Sequence, residues 1–374
     1  MMVIGCDAKR VVCNGTGLGS YGRTLVNDLA RRDDIRLCLY APKPGRDDLR
    51  QQVEGHANVE FCYPKGRKLF WRTHGIVDDL VADKVDVYHG LSGELPIGIK
   101  RAGVKSVVTI HDLIFLRHPE FYNYADTKIY AWKFRKTLKE ADRIIAISEC
   151  TRRDICHYGN IDESRVDLIY QSCSPRFSPD VPDIDVRRVT SKYQLPNRYI
   201  LCVGTIEPRK NIKLAVDALP LLSDDVHLVA VGRATKYSEK VMAAAVKRGI
   251  DNRIHFLHGV PDDDLPAIYN MAEAFVYPSV YEGFGIPIIE AINCGLPVVA
   301  CTGSCLEEAG GPHCLYVEPT DTEAFAAAVT QLLKGAEGRE RRIQLSREYI
   351  RRFFGADVAG QVAAVYSQLL STNV

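Results

Sequence analysis

Two doubly wound, Rossmann-like α/β domains facing a central cleft are the architecture this sequence predicts, on three observations. Short β-branched runs alternate with amphipathic stretches in both halves of the chain, the pattern of parallel sheets covered by helices. A stretch rich in Pro, Asp and Ser, residues 174–198, separates the two series and has no sustained apolar period. At 374 residues the chain is too long for one ordinary core.

In the first half the strand-like runs are MVIGCD, RLCLY, VDVYHG, KSVVTIHD and RIIAIS, with helical stretches at Tyr21–Arg32 and Tyr124–Glu140. In the second half they are RYILCVGT, VHLVAVG, RIHFLHG, AFVYPS and LPVVACT, with helical runs at Ile212–Leu222 and Lys236–Arg248. The expected division is a first domain over 1–175, a linker over 176–198 and a second domain over 199–350. Residues 351–374 are expected to be helical, with a break near Gly355. Val358, Val362, Val365 and Leu369 recur at spacings of three and four, and the helix is expected to cross back to the first domain.

Composition excludes several function classes. Hydrophobic content of 46% and charged content of 25% are those of a soluble globular protein, and a net charge of +1 offers no field for nucleic acid. Residues 1–180 carry 28 Lys and Arg against 24 Asp and Glu, so the first half leans basic. The N-terminus enters a strand with no apolar signal stretch, and no run approaches the roughly 20 residues that span a bilayer. A cytoplasmic protein is expected. The 12 cysteines are scattered without a C-x-x-C pair. Cys301, Cys305, His313 and Cys314 lie close in sequence, but no second close pair completes a zinc set. Reduced thiols, and no metal, are the expectation.

The chemistry concentrates at predicted strand ends of the second half. In LCVGTIEPRKN, Gly204 and Thr205 follow a strand, and Arg209 and Lys210 follow on the loop. A guanidinium for bidentate contact beside an ammonium suits a diphosphate, although a solvated basic turn has the same sequence. In YEGFGIPIIEAINCGLPVVA, Gly283, Phe284 and Gly285 precede Pro287, which fits the first turn of a helix. The amides at that N-terminus would bind an anion, and the glycines permit close approach. Glu282 precedes the glycine turn, and Glu290 lies about one helical turn beyond Pro287. One carboxylate on a ribose diol and one on a sugar hydroxyl, with phosphates between, describes a nucleotide-sugar site. Two glycosidase carboxylates are the competing reading.

EGFGIPIIEA, VGTIEPRKN, TIHDL, ISECTRRDI and HGVPDDDLPAIYNMAEAFVYPS together resemble glycosyltransferase family 4, retaining enzymes of the GT-B fold, over nearly the whole chain. The variant GTIEPRKN looks most like the mannosyltransferase-like branch. The resemblance implies that Glu282 contacts the donor sugar, Glu290 holds the ribose, and Arg209 and Lys210 bind the diphosphate. It also implies that His111, which ends a buried strand, contacts the donor sugar near the reacting centre. Many members carry an arginine directly after the glycine matching Gly204; here Thr205 stands there, so a third phosphate-binding cation is not implied. The loop with Gly17 and Gly19, whose spacing departs from a dinucleotide fingerprint, would line the cleft near the donor phosphate and acceptor. Gly259 and Val260 are expected to read the nucleobase edge.

The reaction implied is hexosyl transfer, mannose-like for preference, from GDP-mannose or another GDP- or UDP-sugar to a saccharide or lipid-linked saccharide. On the front-face proposal a donor phosphate oxygen takes the acceptor proton and neither glutamate is a nucleophile. The Asp-rich patterns at Asp183-x-Asp185 and Asp262-Asp263-Asp264 fall in the linker and before a helix, so no obligatory cation is implied. Residues 122–140 carry Lys128, Lys133, Arg135, Lys136 and Lys139 among Tyr122, Tyr124, Tyr130 and Trp132. Such a helix can rest on anionic lipid at the inner face of the cytoplasmic membrane, or pack its aromatics inward. An epimerase, a glycosidase and a non-catalytic sugar-nucleotide-binding subunit stand as alternatives.

Overall fold

A computed structural model describes residues 1–65, 70–354 and 357–371. The chain forms two compact units, one of Met1–Gln171 with Asp357–Val374, the other of Ser172–Ala356. The break expected near Gly355 lies outside the described residues.

Unit 1 holds a parallel seven-stranded sheet of β1 (Met2–Asp7), β2 (Ile35–Tyr40), β3 (Val59–Cys62), β4 (Val87–Gly90), β5 (Lys105–Ile110), β6 (Arg143–Ala146) and β7 (Val166–Leu168). Their order is β3-β2-β1-β4-β5-β6-β7, so the sheet reverses direction between β1 and β4. The central strands are the apolar runs of the sequence, buried on both faces. The two edge strands, β3 and β7, were not among the expected runs. Each is short and half-polar, because only one side has a strand neighbour and much of each residue stays wet.

The helix Val358–Ser371 belongs to unit 1. Its Val362, Ala363, Val365 and Tyr366 pack into the same core as Ile4, Val26 and Leu29. Tyr366 Oη lies 2.7 Å from His89 Nδ1, and His89 Nε2 lies 2.8 Å from Thr109 Oγ1. Burial pushes the His89 imidazole down to about 3, with His111 adding to the shift, so it is neutral and both nitrogens are satisfied.

Unit 2 holds a parallel six-stranded sheet of β8 (Tyr199–Val203), β9 (His227–Val231), β10 (Ile254–Leu257), β11 (Ala274–Tyr277), β12 (Val298–Cys301) and β13 (Leu315–Val317). The order β10-β9-β8-β11-β12-β13 places its reversal between β8 and β11. A ligand crevice outside the carboxyl ends is expected at such a reversal.

Part of the stretch read as a linker is ordered. Asp183–Tyr193 form a helix in unit 2. It is held by a buried acid at the start of the next element in space: Arg188, Lys192 and the Tyr193 hydroxyl all reach the Asp264 carboxylate, each at 2.7 Å. With only Val189 buried, this helix has little apolar signal for a periodicity search to find. No helix among the described residues is long and apolar enough to cross a membrane.

Candidate active site

The β8–β11 reversal in unit 2 is where charge is brought together. After β8 the chain turns at Gly204, whose φ of 149° is strained for other residues. The carbonyl of Gly204 would sit 1.9 Å from a Cβ on Gly232, so position 232 has room only for glycine. Pro208–Lys210 then make one tight turn. After β11 the chain runs through Ser279 to Glu282 and the glycine turn, and the Val280 amide donates to the Arg209 carbonyl at 2.9 Å. That bond ties the two loops together.

Arg209 and Lys210 converge on one carboxylate. Arg209 places one nitrogen 2.9 Å from Glu282 Oε2, and Lys210 Nζ lies 2.5 Å from Oε1. Arg209 also donates to the Tyr281 carbonyl at 2.7 Å and pairs with Glu207 at 2.7 Å. Lys210 donates to the Tyr277 hydroxyl at 2.7 Å. Burial alone would raise the Glu282 carboxyl, but Lys210 and then Arg209 outweigh it and hold the group down to about 2. Burial opposes the charge on each cation too, and Glu282 more than restores it. The site is therefore a largely buried triad in which two cations meet one ionised carboxylate, with Glu207 as a second, more exposed partner of Arg209. The small notch beside it, lined by Gly204, Thr205, Lys210, Tyr277 and Ser279, has a volume of about 10 Å³.

Glu290 is in a different environment. It lies on the helix Ile286–Asn293, with the Tyr269 hydroxyl donating to Oε2 at 3.0 Å. Burial pushes its carboxyl up to about 7, opposed by Tyr269 and Arg176, although the residue keeps a partial opening to solvent. One glutamate is locked as a carboxylate and the other titrates near neutrality. A glycosidase pair shows a similar split. Against that reading, Glu282 is engaged by two cations, which weakens any nucleophile.

The glycine turn is supported from an unexpected side. Gly285 has φ 122° and caps the helix, and a Cβ there would lie 3.2 Å from Leu306 Cδ2. Cys305 Sγ donates towards the carbonyls of Glu282 and Phe284, at 3.1 and 2.8 Å. Cys301 and Cys314 likewise face carbonyls, those of Pro278 and Gly310. Among the described residues no group of three or more His, Cys, Asp and Glu side chains is arranged to hold a metal ion. The Phe284 ring is buried and packs edge-on against Phe353 at 5.3 Å, so the ring is committed to packing. The acidic run is also engaged in structure: Asp262 pairs with Arg176, and Asp264 is the anchor described above. Gly259, with φ 64°, and Val260 follow β10 at the same end of the sheet, two strands from β8.

His111, Gly17 and Gly19 belong to unit 1. His111 follows β5. Its Nε2 lies 2.9 Å from the Leu91 carbonyl, which can only accept, so Nε2 carries the proton. Nδ1 then accepts from the Gln171 amide at 3.2 Å, and the Tyr21 ring stands edge-on at 4.7 Å. Burial lowers the imidazole to about 4, opposed by the Leu91 bond, leaving it neutral. Gly19 has a packing reason of its own: a Cβ would meet the Asn14 carbonyl at 1.8 Å. Gly17 is exposed at the start of the helix Gly17–Ala30 with open space around it.

Tyr277, Tyr269 and Glu207 lie within the motifs quoted above without having been singled out, and Cys305 was weighed only as a zinc ligand. Each acts through a partner brought close by sheet adjacency or loop packing.

Comparisons with known proteins bear on the family and the fold. Residues 185–349 match the family described as Glycosyl transferases group 1, and residues 15–174 match Glycosyltransferase Family 4. O-antigen chain mannosyltransferase B of Escherichia coli is 34% identical over 343 residues, covering 87% of this chain and 89% of that protein. The GDP-mannose-dependent alpha-(1-6)-phosphatidylinositol monomannoside mannosyltransferase of Mycolicibacterium smegmatis is 28% identical over 338 residues, 85% of each chain. In fold, the chain superposes on sucrose-phosphate synthase from Thermosynechococcus elongatus with a TM-score of 0.80, 19% identity and 100% of both chains covered.

Proposed function

The chain belongs to the group 1 and family 4 glycosyltransferases and is a hexosyltransferase of GT-B fold; from that premise we propose that it transfers mannose from GDP-mannose, with retention, to a saccharide or lipid-linked saccharide hydroxyl in surface polysaccharide synthesis. The observation that carries this reading is the Glu282–Arg209–Lys210 triad at the reversal of the unit 2 sheet. Similarity to mannosyltransferases, one of them GDP-mannose-dependent by name, favours GDP-mannose over UDP-sugars.

Without donor, Glu282 stands in for the diphosphate. When the donor enters, its phosphate oxygens take over Arg209 and Lys210, and the Glu282 carboxylate turns to the sugar hydroxyls. The two cations then sit where negative charge grows on the leaving group as the glycosidic bond breaks. The backbone of Gly283, Phe284 and Gly285 and the helix N-terminus add dipoles of the same sign. Glu290 accepts from the ribose diol, and Gly259 and Val260 offer backbone groups to the base. His111 accepts a sugar hydroxyl through Nδ1 in exchange for Gln171. A donor phosphate oxygen removes the acceptor proton, and Gly17 lies near the acceptor.

A thermal-shift panel of GDP, UDP, ADP and their sugar conjugates, paired with a transfer assay, tests the reading on wild type, Glu282→Gln and His111→Ala. One base at about 100 times its dissociation constant should stabilise wild type by roughly 2.7 kcal/mol. Both variants should keep that stabilisation, since both cations stay, while transfer falls by about 10²-fold or more. No response to any nucleotide up to millimolar concentration would sink the proposal. Sugar released without nucleotide would make it a glycosidase, donor converted without acceptor an epimerase, and binding without any turnover a non-catalytic subunit.

Peripheral contact with anionic lipid is the finer reading of where it works. The helix Tyr124–Glu140 buries Ala131, Phe134, Thr137 and Leu138, while Tyr124 and Ile129 are 78% and 51% exposed beside Lys128. A cationic, aromatic and apolar face of this kind suits an acidic bilayer surface. The protein should sediment with vesicles containing phosphatidylglycerol and stay free of pure phosphatidylcholine vesicles. Tyr124→Ser with Ile129→Glu should release it; equal sedimentation of that variant would refute the contact.

A further inference from the structure

A buried polar chain runs through the core of unit 1 and ends against His111. The core around it is built from apolar side chains, Ile4, Val26, Leu29, Val362 and Val365 among them. Thr109, His89 and Tyr366 are fully buried, and Tyr21 is half-buried at the margin of the same core. The Tyr21 hydroxyl lies 3.1 Å from Thr109 Oγ1. That oxygen is also the partner of His89 Nε2, and His89 Nδ1 is the partner of the Tyr366 hydroxyl. One continuous line of hydrogen bonds therefore joins Tyr21 to the helix Val358–Ser371. Apolar side chains could fill this core without any such requirement. A satisfied polar chain costs desolvation, and what it adds is a single fixed geometry.

Tyr21 is the member of the chain that meets His111. Thr109 lies in β5 and His111 follows it by two residues, the spacing that puts side chains on one face of a strand. Tyr21 spans both. Its hydroxyl bonds Thr109, and its ring meets the His111 ring at 84° with centres 4.7 Å apart. The two His111 nitrogens are engaged elsewhere, Nε2 with the Leu91 carbonyl and Nδ1 with Gln171. What Tyr21 fixes is therefore the tilt of the imidazole plane about those two bonds. Burial lowers His89 to about 3 and His111 to about 4, so both rings are neutral at pH 7 and the chain carries geometry, not charge.

Resting on the assignment of His111 to the donor sugar, we infer that Tyr21 is a positioning residue for His111, anchored through Thr109 and His89 to Tyr366 of the last helix. Turnover then depends on a hydroxyl of that helix acting through three intermediate side chains. Loss of the Tyr366 hydroxyl frees His89 to shift, Thr109 loses a fixed partner, and the Tyr21 ring no longer holds one tilt of His111.

The test is a double-variant cycle on the full chain, read by NMR of protein labelled with nitrogen-15 histidine and by GDP release from GDP-mannose. The signal lost in His111→Asn identifies His111. Tyr21→Phe and Tyr366→Phe should each shift the His111 ring protons. The double variant should shift them no further than Tyr21→Phe alone, because a chain already cut at Tyr21 cannot transmit a second cut. Turnover should follow the same pattern: kcat falls by about threefold or more in each single variant, as loss of an oriented aromatic pair allows, with donor KM at the wild-type value. Val365→Ala, on the same helix and in the same core, should lower stability and leave both the His111 signals and kcat unchanged. Unmoved His111 signals in Tyr366→Phe, or losses that multiply in the double variant, overturn the inference. An equal effect of Val365→Ala also overturns it, since the chain would then be ordinary packing. A wild type that releases no GDP removes the transferase reading instead, and the His111 signals then decide this inference by themselves.

Discussion

Lys210→Ala is expected to abolish useful turnover and to weaken unit 2 at the same time. The ammonium is one of two cations on the buried Glu282 carboxylate and the donor to the Tyr277 hydroxyl. Removing one partner of a buried pair typically costs about 3–5 kcal/mol, and the persistence of Arg209 on Glu282 should keep the loss near the lower figure. For transfer, losing one group that stabilises developing charge costs about 10²–10³-fold in kcat, and poorer diphosphate binding adds to it in kcat/KM. The stability loss has a pH signature. The Glu282 carboxyl is held down to about 2 from an ordinary 4.5. Its contribution is therefore present above about pH 4.5 and lost as pH falls through about 2, an effect on the order of 3 kcal/mol. Urea unfolding at pH 7 and pH 3 should show a wild-type slope that shrinks in Lys210→Ala. Wild-type GDP binding by the variant would mean that the diphosphate is held elsewhere.

Glu290 should make nucleotide binding release a proton. Its carboxyl sits at about 7 in the donor-free protein, raised mainly by burial. A ribose diol donates two hydrogen bonds and favours the ionised form, so binding lowers this pKa and expels the proton. Calorimetric titration with GDP at pH 6 in buffers of different ionisation enthalpy should report up to one proton released, falling towards none near pH 9. Affinity should rise with pH through the same interval. Glu290→Gln should abolish the proton release and weaken GDP by roughly tenfold to a hundredfold, at about 1.5–3 kcal/mol per hydrogen bond to a charged group. The sign for folding is opposite to that of Glu282. A raised carboxyl pKa destabilises unit 2 as pH climbs from about 4.5 to about 7, and Glu290→Gln removes that slope. Proton uptake on binding, or no linkage at all, would place the ribose away from Glu290.

The two glutamates show how far the sequence carries. Their spacing around a glycine turn, and the Arg-Lys pair 72 residues earlier, were visible as a nucleotide-sugar pattern. That Glu282 already occupies both cations was not visible, because it depends on β8 and β11 being neighbours although two strands intervene in sequence. The same adjacency brings Tyr277 to Lys210. Phe284 had been grouped with its glycines as a diphosphate contact, but its ring packs on Phe353, a partner 69 residues away. Cys301 and Cys305, weighed as zinc ligands, instead face carbonyls of the loops that follow β11.

The parallel α/β class, the central strands and the long helix Tyr124–Glu140 were determined by the sequence itself. These elements are long or apolar enough that local periodicity and burial favour the same conformation. Edge strands β3, β7 and β13 and the helix Asp183–Tyr193 were decided by the tertiary structure. Each is short or mostly polar and gains its stability from one long-range partner, as the helix does from Asp264. The charge states of the site were decided there too. An identical carboxyl side chain is pulled to about 2 by two cations and pushed to about 7 by burial beside a tyrosine, a difference set by neighbours in space.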